Sequence, residues 1–173
     1  LSPGGGITCA SCHPEGGDDG HVWSIGDIGP RRTPSMRGHV LATAPFHWDG
    51  DLPDLRAFTN LVMVRRMGAP IPSEPQLASF AAFINGVRAL HAPVADTAAA
   101  ERGREVFERP LVGCAACHSG EALTNNQTMD VGTGGAFQVP SLRGVRWRAP
   151  YLHHLAATLA DRLGPDGGGE QHG

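Results

Sequence analysis

The sequence predicts a mostly α chain made of two tandem units on one plan, with long Gly/Pro-rich loops and little strand. Three observations carry that prediction. A five-residue cysteine motif occurs twice and uses every cysteine. The stretches that follow the two motifs repeat each other at matching offsets. Gly and Pro together supply 38 of the 173 residues, which confines regular structure to a few segments and lengthens the connections between them.

Each element has its own signal. A short helix is expected on each cysteine motif, at 9–13 and 114–118. The Gly- and Pro-rich segments 14–50 and 119–150 read as loops. Residues 53–67 read as a helix starting near Pro53, with Leu55, Phe58 and Val62 on its inner face. Residues 73–90 read as a second helix, because Ser73 followed by Gln76 forms a capping box and Leu77, Phe80, Ala81, Ile84 and Val87 share one face. Asp96 is the expected N-cap of a helix over 96–108, which carries Gly103 and Phe107 one turn apart. Residues 155–163 match the 53–67 helix in the second unit. Strand signals are weak everywhere.

Composition narrows the class. The net charge is only −3, and no basic cluster stands out beyond Arg31-Arg32 and Arg65-Arg66, so no nucleic-acid partner is expected. All 14 basic residues are Arg. No apolar run approaches the roughly 20 residues of a membrane-spanning helix, which argues against an integral membrane protein. Aromatic residues make up only 6% of the chain. A two-unit chain this poor in large side chains needs apolar volume from another source.

The four cysteines indicate that source. They fall in Cys9-Ala-Ser-Cys12-His13 and Cys114-Ala-Ala-Cys117-His118, and C-x-x-C-H is the attachment signature of c-type haem. On one helical turn the two thiols face the two vinyl positions of a porphyrin, and the following His offers its imidazole to the iron. A zinc site built on the two C-x-x-C knuckles would not need a His after each. A thioredoxin-like redox pair would follow a strand, and none precedes either motif. Two structural disulfides are a further alternative. The expected cofactors are therefore two c-type haems, attached at Cys9 and Cys12 and at Cys114 and Cys117, with His13 and His118 as proximal ligands.

The repeat extends beyond the motifs. Thr33-Pro34-Ser35-Met36-Arg37-Gly38 and then Pro45-Phe46-His47-Trp48-Asp49-Gly50 follow His13. Val139-Pro140-Ser141-Leu142-Arg143-Gly144 and then Pro150-Tyr151-Leu152-His153-His154 follow His118. Pro34 lies 21 residues after His13, and Pro140 lies 22 after His118. Self-similarity in residue type and offset means one unit used twice. The expected organisation is a first cytochrome c-like haem lobe over 1–91, lacking the helix expected before its motif, and a second over 92–173, with the boundary near 91–95.

These residues together resemble the bacterial di-haem cytochrome c peroxidase superfamily, which includes the methylamine-utilisation di-haem enzyme and related electron carriers. The matching pieces are Cys9–His13 with the Gly-Asp run after it, Thr33–Gly38, Phe46–Gly50 with Asp54-Leu55, Gly113–His118, and Val139–Gly144 with Ala149–His153. They cover nearly the whole chain. Two departures bear on activity. The peroxidases place a Gln ten residues after the Trp of their Phe-Trp-Asp-Gly motif and a Glu about ten further on; here those positions hold Phe58 and Gly68. A peroxidase needs a polar group to take and return a proton, and Phe cannot. In the second unit, Tyr151-Leu152-His153-His154-Leu155 lacks the family's Asp-Gly.

The family places a distal ligand after the helix that follows the Pro-aromatic segment. Met67 lies 19 residues after Trp48, and His172 lies 19 after His153. Met67 and His172 are accordingly the favoured distal ligands of the first and second haems. Met63, His21 and His47 remain alternatives for the first, His153 and Met129 for the second. Met36 reads as packing, and His39, His91 and His154 as surface or loop residues. Arg37 and Arg143 share one repeat position, and a planar guanidinium there suits a haem propionate. Pro34 and Pro140 are expected to bring a backbone carbonyl to the proximal imidazole N–H.

The resulting expectation is a di-haem c-type electron-transfer protein with two six-coordinate irons, exchanging electrons with a redox partner protein. A di-haem peroxidase-type enzyme is the alternative, and a subunit of a haem-bearing assembly or filament the third reading. Covalent haem implies assembly in the bacterial periplasm or outside the cell. No leader precedes Leu1, so the chain reads as processed or as a piece of a larger parent chain, and homo-oligomerisation stays open.

Overall fold

The computed structural model describes residues 6–26, 28–153 and 158. Helices of all kinds account for 36% of the structure and strands for 11%, a mostly α composition. The elements run α1 (Cys9–Cys12), β1 (Val22–Ile25), β2 (Gly29–Arg32), α2 (Leu55–Phe58), a π-helix (Thr59–Arg66), α3 (Glu74–Asn85), α4 (Thr97–Phe107), α5 (Cys114–Cys117), β3 (Thr128–Asp130) and β4 (Ala136–Gln138), with 3₁₀ turns at Pro14–Gly16, Val40–Thr43 and Val145–Arg148. The expected helix over 155–163 lies outside the described residues.

The helices start where their caps dictate. The Asp96 carboxylate accepts the Ala99 amide at 2.9 Å, and α4 begins at Thr97. The Gln76 carboxamide oxygen accepts the Ser73 amide at 2.9 Å, closing the back half of a capping box. α3 ends at Asn85, earlier than expected, because Gly86 caps it. Its covered positions are Leu77, Phe80, Ala81 and Ile84, with Val87 just beyond, and the intervening positions are exposed. That is the apolar face expected from the 3.6-residue period.

The 53–67 segment departs from expectation. Its start is as expected, beside Pro53, where the Asp54 carboxylate accepts the Ala57 amide at 2.8 Å. After one α-turn the helix widens to a π-helix, with the Met67 amide donating to the Val62 carbonyl at 3.0 Å. Thr59, 1% exposed, donates its hydroxyl back to the Leu55 carbonyl at 2.7 Å. A Thr hydroxyl bound back onto the preceding turn perturbs the regular ladder, and it does so where the widening begins.

The segments read as loops contain two antiparallel hairpins. β1 pairs with β2 in the register Val22↔Arg32 to Ile25↔Gly29, and β3 with β4 in the register Thr128↔Gln138 to Asp130↔Ala136. Strands of three or four residues are too short to show a period of two in sequence. The same local events then recur in both halves. Gly38 and Gly144 take positive φ (84° and 68°), a 3₁₀ turn follows, Ala44-Pro45 and Ala149-Pro150 are both cis, and His47 and Leu152 both take positive φ (68° and 67°).

The two repeated stretches meet in a reciprocal seam. The Gln138 amide donates to the Trp48 carbonyl at 2.7 Å, and the Arg32 amide donates to the His153 carbonyl at the same distance. Arg32 and Gln138 hold equivalent places in the repeat, as do Trp48 and His153. The Gln138 carboxamide also donates to the Thr43 carbonyl at 3.0 Å, and Arg143 Nη1 to the Gly38 carbonyl at 3.1 Å. At Gly50 (φ 63°) a Cβ would stand 2.5 Å from Thr128 Oγ1, so glycine permits the close crossing. The buried apolar set among the described residues is small: Leu52, Ala69, Ile84, Phe137 and Val139.

Candidate functional site

The two cysteine motifs fold alike. Cys9–Cys12 and Cys114–Cys117 each form a single helical turn, closed by the amide of the following His donating to the first Cys carbonyl, at 2.8 Å for His13 and 2.9 Å for His118. The two thiols of each motif, three residues apart on that turn, share one side of it. Both His residues leave the turn in nearly the same conformation, φ −116° and ψ 62° against φ −92° and ψ 69°. The start of each turn differs. Thr8 enters the first with its amide bonded to Ser11 Oγ at 3.1 Å, and Gly113 enters the second at φ 81°.

Each imidazole is oriented by a carbonyl. His13 Nδ1 lies 3.2 Å from the Gly17 carbonyl, and His118 Nδ1 lies 3.3 Å from the Leu123 carbonyl. A carbonyl only accepts, so Nδ1 carries the hydrogen and Nε2 keeps its lone pair for a metal. The carbonyls thus come from residues four and five positions beyond each His, closer in sequence than the expected Pro34 and Pro140, although the Pro34 carbonyl adds to the interaction at His13. Burial lowers the His13 pKa, against the opposing pull of the Gly17 carbonyl and Asp19, and so favours the neutral ring that ligation requires. Burial raises the Cys12 thiol, helped by the Asp19 and Cys9 charges. None of the four cysteines is in a disulfide. Among the described residues no group of three or more His, Cys, Asp or Glu gathers as a metal cluster. Paired thiols, an oriented imidazole beside each pair and a small intrinsic core fit a c-type haem at each motif.

The other candidate ligands are dispersed. Met67 caps the C-terminus of the π-helix and is half-buried. Met63, within that helix, lines a cavity of about 210 Å³ together with Thr59, Ala69, Gln76, Leu77 and Phe80. His21 is exposed, edge-on to Trp23. His47 Nδ1 lies 2.9 Å from Asp51 Oδ1. The Met129 sulfur accepts from the Cys117 thiol at 3.6 Å, against the second cysteine motif itself. His153 is buried, its ring centroid 4.0 Å from Phe137 and 6.0 Å from Trp48. His172 and His154 lie outside the described residues.

Arg37 and Arg143 line one cavity of about 210 Å³ between the halves, with Ser35, Trp147 and Arg148. Their amides each bond the serine two residues earlier at 3.2 Å, which is the repeat expressed in geometry. Arg37 reaches Glu15 at 3.7 Å, and Arg143 Nε donates to the Glu121 carbonyl at 2.9 Å.

Sequence reasoning missed the ionic centre of the seam. Arg32, 4% exposed, pairs with Asp18 at 2.9 Å, and Arg148 reaches the other Asp18 oxygen at 3.2 Å. Burial pushes the Asp18 carboxyl up, but the Arg32 hydrogen bond and the Arg148 charge outweigh it and hold the group below its ordinary value. Burial lowers the Arg148 pKa, partly offset by Asp18. One signal was available: Arg32 breaks the repeat, standing where the second unit has Gln138.

No family model matches the chain. Among curated proteins it is 30% identical to hydrazine synthase subunit gamma of Kuenenia stuttgartiensis over 155 residues, covering 75% of this chain and 44% of that protein. It is 28% identical to methylamine utilization protein MauG of Methylorubrum extorquens, covering 88% of this chain and 60% of that protein. The chain therefore spans about half the length of these relatives. Its fold matches a hydrazine synthase structure from Kuenenia stuttgartiensis with a TM-score of 0.77 at 24% identity, over 92% of this chain and 72% of that one. It matches a MauG-like protein associated with microbial copper homeostasis with a TM-score of 0.66 at 23% identity, over 94% and 68%. With both cysteine turns folded alike, these similarities in sequence and fold support a place for the chain in the di-haem cytochrome c peroxidase-like superfamily.

Proposed function

We propose that the chain is a di-haem c-type electron-transfer module of the bacterial periplasm or cell exterior, serving a redox partner protein. Cys9 and Cys12, and Cys114 and Cys117, would hold one haem each through thioethers, with His13 and His118 as proximal ligands. The haems supply reversible one-electron chemistry at iron. The residues supply the rest: the Gly17 and Leu123 carbonyls fix the imidazole tautomers, and Met67 and His172 would serve as the distal ligands. Met67 as a ligand at the first site would raise its potential above that of a second site held by two histidines. The observation that carries this reading is the pair of attachment turns with the same backbone course and the same Nδ1–carbonyl contact. Pyridine haemochrome analysis should return two haems per chain. Low-temperature electron paramagnetic resonance should give two low-spin ferric signals, and redox titration two one-electron waves. A colourless protein, an open high-spin centre or a single two-electron wave overturns the reading.

A second reading, a di-haem peroxidase-type enzyme, draws on one observation. His47 Nδ1 lies 2.9 Å from Asp51 Oδ1, a polar pair whose imidazole ring is 6.0 Å from Phe58. Against it, the position where the peroxidases carry Gln is filled by Phe58, edge-on to Phe46 as well. Rapid peroxide turnover with a high-spin band would favour the enzyme. The third reading, a subunit of a haem-bearing assembly, draws on the relative that is itself named as a subunit, and size-exclusion chromatography with particle imaging tests it.

A further inference from the structure

The cavity that Arg37, Arg143 and Arg148 share is closed by the linker between the two repeated stretches. Ala89 and Leu90 of that linker line it. The Gly38 amide donates to the Val87 carbonyl at 2.9 Å, and Arg37 Nη1 donates to the Arg88 carbonyl at 3.5 Å; both contacts hold the linker down. Gly38 takes φ 84°, and a Cβ there would stand 3.3 Å from the Ala89 side chain, so glycine lets the linker lie close. The volume, about 210 Å³, is several times the roughly 30 Å³ that a water occupies in the liquid.

Its charge is unbalanced. Three guanidinium groups line it against one carboxylate, Asp18, and Asp18 is already shared by Arg32 and Arg148. Glu15 comes no closer to Arg37 than 3.7 Å and is 92% exposed, so it neutralises little. Donors are left over. Arg143 uses Nε and Nη1 on the Glu121 and Gly38 carbonyls, and Arg148 uses Nε on Asp18. Arg143 Nη2 and both terminal nitrogens of Arg148 have no hydrogen-bond partner among the described residues. Burial holds the Arg148 pKa down, Asp18 opposes that, and the Arg32 charge adds to the drop. An enclosed excess of positive charge is costly unless a counter-ion joins it.

The cavity stands apart from any iron at the first motif. Gly17 lines it, and the Gly17 carbonyl faces His13 Nδ1 at 3.2 Å, whereas the metal-binding lone pair of that ring is on Nε2. We propose that this cavity binds one small oxyanion of the phosphate type, gripped by Arg37, Arg143 and Arg148 together. Planar guanidinium forks match the oxygens of such an anion. The occupant is a free anion rather than a haem carboxylate, because the cavity lies on the Nδ1 side of the His13 ring. The site goes beyond the electron-transfer reading and does not depend on it.

The test uses the full chain with its haem complement. Inorganic phosphate is titrated by calorimetry at fixed ionic strength, with chloride as the balancing anion. One phosphate should bind per chain. Arg37→Gln and Arg143→Gln should each weaken binding by about tenfold or more, the scale of one lost charge-assisted hydrogen bond. Arg104→Gln removes an exposed arginine of α4 and should leave binding unchanged. Should Arg143→Gln fail to fold, Leu90→Trp fills the cavity from the linker with every charge retained, and it should abolish binding. No saturable binding, or equal weakening by Arg104→Gln, overturns the site. Binding that Leu90→Trp leaves intact places the phosphate elsewhere and also overturns it. No phosphate uptake together with a haem potential shifted by Arg143→Gln assigns these arginines to haem carboxylates and overturns the free-anion site. The haem count is measured separately, so a count other than two removes the di-haem reading and leaves the phosphate titration to decide the cavity.

Discussion

Asp18→Asn isolates the ionic centre of the seam with almost no change in shape. Asp18 is 10% exposed and faces Arg32, 4% exposed, and Arg148, 21% exposed. Neutralising it leaves two guanidinium groups facing each other without a counter-charge. Breaking a buried pair by removing one partner costs about 3–5 kcal/mol, and the lower end applies because Arg148 keeps some contact with water. In a chain of this size 1 kcal/mol moves the melting temperature by about 2–4 °C, so about 3 kcal/mol predicts a drop of about 6–12 °C at neutral pH. The pH dependence follows in sign. The folded-state pKa of Asp18 is depressed relative to an unfolded value near 3.9. Its contribution is therefore fully present above about pH 4 and is lost as pH falls through the lower folded value. Melts of both proteins by far-ultraviolet circular dichroism, from pH 7 downward, should show a gap that is constant above the carboxylate range and closes in acid. A gap of under about 1 °C at neutral pH, or one that persists undiminished in acid, refutes the claim that this ion pair stabilises the seam.

Other consequences are as definite. Ile84→Ala, at a position 3% exposed on the covered face of α3, should lower stability by about 2–4 kcal/mol in chemical denaturation. The exposed neighbour Phe83→Ala should change it far less. Gly50→Ala should cost more than about 1 kcal/mol, because the new Cβ falls 2.5 Å from Thr128 Oγ1 at a positive φ; adding Thr128→Ala should recover part of it by removing the clash. Met67→Ala should abolish the near-infrared band of a sulfur–iron bond, whereas Met63→Ala should leave it, and the opposite outcome moves the ligand one turn back along the π-helix.

Local chemistry made part of this molecule readable in advance. The capping pair Ser73 and Gln76, the N-cap Asp96, the apolar face of α3 and the one-turn helices at both cysteine motifs follow from contacts within a few residues, and the structure carries them where expected. The repeat was equally legible, because the near-equal spacing of Pro34, Gly38 and Pro45 with Pro140, Gly144 and Pro150 needs no knowledge of what they touch. The hairpins, the π-widening at Thr59 and the seam were not legible. The strands are too short for a pattern, and the π-register rests on one hydroxyl bonded back onto its own turn. Arg32, Asp18 and Arg148 are separated by as many as 130 positions along the chain, and only the folded arrangement of the two halves removes them from water together. Short-range hydrogen bonding and periodicity are encoded residue by residue, whereas burial and the pairing of charges arise only when distant segments meet.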